Sequence, residues 1–153
     1  MTSSGELVGI ARHAERHGPL ECLDRVRVTK SAGLDGDCRG RIRLRQVTVV
    51  AAEAWEAACR ELDAELSWTL RRGNLLVKGV TLPRTPGARL EVGDLWLEVT
   101  GETAPCARMD EKFEGLRAAL RPDWRGGNIY RVLNDAEIRL GDAVSVHPAN
   151  PTS

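Results

Sequence analysis

The sequence lacks the charge surplus that would mark it as a binder of nucleic acid. Its 22 basic and 22 acidic residues cancel, so the chain has no net charge at pH 7. Proteins that bind a phosphate backbone need a positive surplus on some face. We therefore expect no nucleic-acid partner, although this balance still permits a local basic site.

Long apolar runs are also missing. No stretch approaches the roughly 18 consecutive apolar residues that a membrane-spanning helix requires. Residues 1–16 contain no basic segment followed by an apolar run, which is the pattern of a signal peptide. We expect a cytoplasmic protein that makes no contact with a membrane.

Closely spaced metal ligands are absent as well. The four cysteines, Cys22, Cys38, Cys59 and Cys106, form no C-x-x-C pair, and the three histidines are not spaced beside them. A structural zinc site is therefore not expected, and the thiols should be reduced. A chain of 153 residues is long enough to fold without a metal or a disulfide. We predict a single domain over residues 1–153.

The hydrophobic pattern predicts short strands and two helices. Strands are predicted at residues 7–11, 25–29, 46–50, 75–80 and 126–133, and Gly-Asp turns predict further strands within 90–99 and 138–146. Helical spacing predicts helices at 51–66 and 110–120, the second with Asp110 as its N-cap. Because regular β-α-β alternation is missing, this order favours a mostly β barrel with short helices, an α+β fold, over a doubly wound sheet.

Cys106 is the thiol best suited to chemistry. It follows Pro105 in a predicted loop, with Arg108 two residues on and the predicted helix just beyond. A guanidinium and a helix N-terminus both favour the reactive thiolate. The alternative is a buried, inert cysteine, which is the interpretation we favour for Cys59 on its apolar helix face. The polar loops around Cys22 and Cys38 indicate no role for either.

An arginine-rich segment predicts an anion site. If residues 37–46 are extended, alternate side chains share one face, and these are Arg39, Arg41, Arg43 and Arg45. Four guanidiniums on one face fit a ligand that carries phosphate. The alternative is a solvated edge strand whose charges prevent aggregation.

Two turns are weaker candidates for the same site. Arg72 and Asn74 flank a glycine at the start of a strand, where backbone N–H groups are often exposed. Gly126 and Gly127 follow Arg125 and allow a ligand to approach the backbone closely. In both places the alternative is a plain turn.

Taken in order, these motifs resemble the MOSC domain. That domain is named for the C-terminal part of eukaryotic molybdenum cofactor sulfurases, and it also occurs as small stand-alone bacterial proteins. The resemblance covers about residues 5–147. The matching segments are GLDGD (33–37), RQVTVV (45–50), RGNLLVKG (72–79), LEVGD (90–94), TG (100–101), PC (105–106), RGGNIYRVL (125–133) and GD (141–142).

The resemblance implies a strongly bent, mixed β-barrel with a pocket for a molybdopterin-type cofactor. It implies that Cys106 is the reactive, sulfur-carrying or molybdenum-ligating group. The family's Gly-Asp-x-His motif is altered, because Arg39 follows Asp37 where His is usual. This keeps a positive charge but removes a titratable nitrogen. The predicted cofactor-binding set is Asp37, Arg39, Arg45, Arg72, Asn74, Arg108, Arg125, Gly126 and Gly127.

The resemblance leaves two chemistries open. Cys106 carries a persulfide and delivers sulfur, or it ligates molybdenum in a reductase of N-hydroxylated compounds, with partner proteins as the sulfur or electron donors. The full sulfurase also has a domain that uses pyridoxal phosphate. This chain has no such domain, and its three lysines lie in no recognisable Schiff-base setting, so covalent pyridoxal phosphate is not expected. The rival hypothesis is a non-catalytic module that binds a phosphorylated small molecule in an Arg-lined pocket.

Overall fold

Seven strands close into a barrel in the computed structural model, which describes residues 4–16 and 18–149. Within these residues the strands are β1 (Ser4–Arg12), β2 (Glu21–Cys22), β3 (Arg25–Thr29), β4 (Gly33–Leu34), β5 (Val47–Ala51), β6 (Leu75–Lys78), β7 (Arg89–Val92), β8 (Leu95–Glu102), β9 (Asn128–Val132), β10 (Ala136–Arg139) and β11 (Ala143–His147). The barrel order is β11-β7-β8-β9-β5-β6-β1, and β1 pairs with β11 to close it. β5 and β6 run parallel while the other barrel pairs are antiparallel. The prediction of a mixed, mostly β barrel is confirmed.

β1 pairs with three different strands, two in the barrel and one, β2, outside it. It pairs with β11 near its start, then with β6, and finally with β2 at its end. The register with β6 shifts between Leu7 and Gly9, and a bulge of this kind bends a strand. The bend allows β1 to pair with three different strands along its length. A separate three-stranded sheet has the order β10-β3-β4.

Both predicted Gly-Asp turns form, with Gly93 and Gly141 at φ values of 56° and 95°, which glycine adopts without strain. Their topological roles differ. The turn at Gly93 joins β7 to β8, which pair as a hairpin. The turn at Gly141 joins β10 to β11, which belong to different sheets.

The strand β5 lies between two apolar cores. Val47 and Val49 belong to the cluster inside the barrel, whereas Val50 belongs to a second cluster outside it. A strand that is buried on both faces has no reason to alternate apolar with polar residues. This explains the continuous β-branched run in the sequence.

Three short helices contribute to the second core: α1 (Ala52–Glu61), α2 (Arg108–Lys112) and α3 (Leu116–Leu120). The prediction of a helix at 51–66 holds only as far as Glu61, because Asp63 turns the chain away with a φ of 50°. Leu66 still packs against the second core. None of the described helices has both the length and the apolar character to cross a bilayer.

The prediction of one helix at 110–120 is wrong. The chain forms α2 and α3, separated by Gly115 at a φ of 89°. Asp110 does not cap α2, which begins at Arg108. Its carboxylate instead accepts the N–H of Arg117 at 3.0 Å, so it satisfies a backbone donor in the first turn of α3.

The prediction that residues 37–46 form an extended strand face is also wrong. The segment is a series of turns. The N–H of Ile42 donates to the carbonyl of Arg39 at 3.0 Å, and the N–H of Arg45 donates to the carbonyl of Ile42 at 2.8 Å. The side chains therefore point in different directions, and Ile42 is half exposed.

A buried hydroxyl in the barrel gives a test of the interior packing. Tyr130 on β9 is fully buried, and its hydroxyl has no hydrogen-bond partner among the described residues. Burial raises the pKa of Tyr130 above its ordinary value. A buried polar group without a partner costs about 1–3 kcal/mol. Tyr130→Phe should therefore raise the free energy of unfolding by about 1 kcal/mol in urea denaturation. Tyr130→Leu, which also removes the ring, should lower it, and a less stable Phe variant would contradict the expectation.

Candidate functional site

Cys106 lies in the loop between β8 and α2, with an exposed thiol. It faces a cavity of about 610 Å³ lined by Arg16, Cys38, Arg39, Ile42, Arg45, Thr48, Cys106 and Arg108. A second cavity, of about 350 Å³, shares five of these residues, including Cys106. The thiol is therefore common to the walls of both cavities.

Positive charge dominates both cavities. Their walls contain one acidic side chain, Glu111, and seven basic ones: Arg16, Arg39, Arg45, Arg71, Arg72, Arg108 and Lys112. Among the residues that the structure describes, no ion pair involves Arg39, Arg45 or Arg72. A cleft lined by one sign of charge concentrates ions of the other sign. A chain with no net charge thus contains a strongly anion-attracting site.

Arg71 is the buried member of this group. It ends a 3₁₀ turn over Trp68–Arg71. Its Nε donates to the carbonyl of Gly126 at 2.8 Å, and another guanidinium nitrogen donates to the carbonyl of Thr103 at 2.7 Å. A third nitrogen lies 3.9 Å from the Sδ of Met109. Arg71 therefore holds both ends of the Cys106 loop against the start of β9.

The charge on Arg71 persists despite its burial. Desolvation lowers the pKa of Arg71 to about 10, while the negative charge of a Cys106 thiolate acts in the opposite direction. Burial and the neighbouring Arg72 and Arg71 likewise lower the pKa of Lys112, whose ammonium donates to the carbonyl of Leu70. At neutral pH Arg71 is cationic, so it contributes positive charge as well as hydrogen bonds.

Asp37 organises the loop that carries Arg39 and does not line the cavities. Its side chain is fully buried. One carboxylate oxygen accepts the N–H of His13 at 3.1 Å, and the other accepts the N–H of Arg39 at 3.2 Å. These bonds fix the turn from which Arg39 reaches the cavity. Arg39 therefore faces the same space as Cys106.

Asn74 lies outside the cavity walls. It is buried, and its side-chain oxygen accepts the N–H of Thr48 at 2.9 Å. Its amide nitrogen donates to the carbonyl of Ala11 at 3.2 Å. Asn74 thus links β1 to β5 through its side chain. The structure places Asn74 in the barrel wall, whereas the sequence analysis predicts that it contacts the cofactor.

Arg125, Gly126 and Gly127 do not line the Cys106 cavities either. Arg125 forms an ion pair with Glu61 at 2.7 Å and lines a separate pocket of about 260 Å³. The carbonyl of Gly126 accepts from Arg71. A Cβ on Gly127, whose φ is 98°, would lie 2.3 Å from the carbonyl oxygen of Val49. The two glycines thus permit close packing behind the site.

The structure therefore brings together five of the predicted site residues: Arg39, Arg45, Arg72, Cys106 and Arg108. Ten further residues of the walls were not in the predicted set, and Arg16, Thr48, Arg71 and Lys112 are among them. The adjacent arginines in Arg71-Arg72-Gly73 were a usable signal, since both reach the smaller cavity. No local pattern marks Arg16, which follows the end of β1 by four residues.

Comparison with known proteins decides the family. A family model described as the MOSC domain matches residues 33–145. The chain belongs to the MOSC domain family. The matched segment runs from β4 to β11, so it includes Arg39, Arg45, Arg72 and Cys106. A search of curated proteins gave no match.

Solved structures show the same fold. The YuaD protein from Bacillus subtilis superposes with a TM-score of 0.79 at 15% identity, over 98% of this chain and 99% of that chain. YiiM from Escherichia coli gives a TM-score of 0.69 at 14% identity, over 98% of this chain and 71% of that chain. YiiM from Geobacillus stearothermophilus gives 0.63 at 16% identity, over 93% and 72%. At these identities the likeness establishes the fold.

The contacts of Arg71 predict a large effect on stability. Arg71→Leu leaves the carbonyls of Thr103 and Gly126 without their donors, and each buried unpaired group costs about 1–3 kcal/mol. We expect urea denaturation to show a loss of about 2–4 kcal/mol. Arg41→Leu, at an exposed position of the arginine-rich turns, is the matched control and should change stability by less than about 0.5 kcal/mol. Equal stabilities would show that Arg71 does not hold the loop.

Proposed function

We propose that this MOSC domain binds a molybdopterin-type molybdenum cofactor in the two adjoining cavities, with the sulfur of Cys106 as its reactive group. The observation that supports this is the position of one exposed thiol in the shared wall of two guanidinium-lined cavities. An anionic ligand and a sulfur-dependent reaction both need such a site.

The residues present fit this cofactor. Its phosphate is anionic, and the guanidiniums of Arg39, Arg45 and Arg72 have N–H donors that are not engaged by carboxylates in the described part of the chain. A thiolate such as that of Cys106 is a soft ligand suited to a transition metal. The described residues contain no group of three or more His, Cys, Asp or Glu side chains arranged to hold a metal ion. Cys106 would therefore act as a single protein ligand to a metal that the cofactor already holds.

Each residue then has a definite task. Arg39, Arg45 and Arg72 bind the anionic part of the ligand. Arg71 holds the Cys106 loop in place through Thr103 and Met109. When bound, the cofactor supplies a metal centre that accepts and donates electrons.

Sulfur carriage is the first of two reactions that this arrangement allows. The Cys106 thiolate attacks the outer sulfur of a persulfide on a donor protein. A new S–S bond forms at Cys106, and the donor leaves as a thiolate. The product is a persulfide on Cys106, in a loop exposed enough to pass its outer sulfur to an acceptor.

Reduction of an N-hydroxylated compound is the second reaction that this arrangement allows. The net change converts R–NHOH, two electrons and two protons into R–NH₂ and water, and a partner protein supplies the electrons. In this reaction the Cys106 thiolate would be a ligand of the cofactor's metal and would carry no sulfur. A mass shift of one sulfur atom on Cys106 after incubation with a persulfide donor supports carriage, and its absence favours reduction.

Replacement of the thiol tests the proposal directly. Cys106→Ser should unfold at the same urea concentration as the wild-type protein, because the side chain is exposed. It should abolish sulfur transfer and reductase activity, because a hydroxyl neither forms a persulfide nor ligates a soft metal like a thiolate. Cys22→Ser, at another exposed cysteine, is the control and should keep full activity. Full activity in Cys106→Ser would leave the non-catalytic module as the better interpretation.

Replacement of a cavity arginine tests anion binding. Arg45→Ala should weaken retention of molybdopterin, or of a phosphorylated probe such as a nucleotide, by about tenfold or more, since hydrogen bonds to charged groups contribute about 1.5–3 kcal/mol. Added salt should reduce the difference in affinity between Arg45→Ala and the wild-type protein, because it screens the contact that the variant lacks. Arg43→Ala, in the same turns but outside the cavity walls, should bind like the wild-type protein. Equal losses in both variants would point to a general charge effect.

A further inference from the structure

The larger cavity contains a second thiol. Cys38 lines the same 610 Å³ space as Cys106 and is half-buried there. The other two cysteines lie outside the walls of both cavities, Cys22 on β2 and Cys59 on α1. Neither the sequence pattern nor the proposed cofactor chemistry uses Cys38.

The two thiols lie on different loops, and hydrogen bonds hold each loop. The N–H of Cys38 donates to the carbonyl of His13 at 2.8 Å, and the carboxylate of Asp37 accepts the N–H groups of His13 and Arg39. Residues 103–106 have no regular secondary structure, and the carbonyl of Cys106 accepts the N–H of Met109 at 3.0 Å. Cys106 and Cys38 thus lie on two separate loops that face the same cavity.

We propose that Cys38 is the resolving thiol of Cys106. The proposal rests on the sulfur-carrying form of the proposed function. The Cys38 thiolate attacks the Sγ of the Cys106 persulfide, a Cys38–Cys106 S–S bond forms, and the outer sulfur leaves with the bonding electrons as hydrosulfide. A dithiol reductant then returns both cysteines to thiols and is itself oxidised to a disulfide.

The charges around the cavity favour this step. The departing hydrosulfide is an anion, and Arg39, which is adjacent to Cys38 in the chain, lines the same space as both thiols. Positively charged groups placed where negative charge develops lower the energy needed to form that charge. Formation of the disulfide also consumes the Cys106 thiolate. Cys106 therefore cannot be in the disulfide and ligate a metal at the same time.

Oxidation of the cofactor-free protein tests the pairing without relying on the proposed function. Both thiols are free in the structure, and diamide oxidises a pair by accepting two electrons and two protons. Non-reducing peptide mapping should find the Cys38–Cys106 linkage as the main disulfide in the wild-type protein and in Cys22→Ser. Linkages that mainly involve Cys22 or Cys59, or chains joined through Cys106, would overturn the proposal.

Persulfide turnover tests the chemistry. After incubation with inorganic polysulfide, the wild-type protein should release hydrosulfide and contain the Cys38–Cys106 disulfide. Cys38→Ser should instead retain a persulfide on Cys106, visible as an added sulfur atom by mass spectrometry. Loss of that sulfur at the wild-type rate in Cys38→Ser would overturn the proposal. If Cys106 takes up no sulfur in either protein, sulfur carriage itself fails, and the diamide result alone decides whether Cys38 pairs with Cys106.

Discussion

One buried guanidinium ties together the segments that make this site. Arg71 donates to the carbonyls of Thr103 and Gly126 and approaches the sulfur of Met109. These residues follow β8, precede β9 and lie in α2, so the hydrogen bonds join the barrel to the helical layer. A charged group is buried in this way only when its donors are satisfied. Arg71 therefore both fixes the geometry of the Cys106 loop and adds positive charge to the smaller cavity.

Much of the barrel follows from local sequence patterns. The strand at 25–29 alternates apolar with polar residues, and its predicted bounds match β3. The buried run that becomes β5 is β-branched from Val47 to Val50. Prediction failed where one glycine outweighed a helical pattern: Gly115 takes a left-handed conformation and divides 110–120 into two helices. The apolar spacing there was real, since Leu116 and Leu120 are buried, but periodicity does not report where the backbone reverses.

The sequence predicted the types of residue in the site better than it predicted which individual residues line the cavities. Cys106 and Arg45 were identified from a thiol beside a guanidinium and from clustered arginines, which are local features. Asn74 lies outside the walls of the two cavities, and its motif does not show that both ends of its amide bond to backbone groups, in β5 and β1. The hydrogen bond that anchors Arg71 was not predicted, because its partner Gly126 is 55 residues away in the chain. A contact between segments so distant leaves no periodic trace in a single sequence.

The closure of the barrel constrains when the protein can fold. Ser4 of β1 pairs with Ser145 of β11, so the seam joins the two ends of the described chain. Contacts between such distant segments slow folding, because the entropy of closing the loop must be overcome before the contact forms. During synthesis on a ribosome, β11 is the last strand to be made, so one edge of β1 stays unpaired until nearly all the other strands have been made. Until then that edge exposes unpaired backbone N–H and C=O groups, so the nascent chain is open to non-native strand pairing until the last strand has emerged.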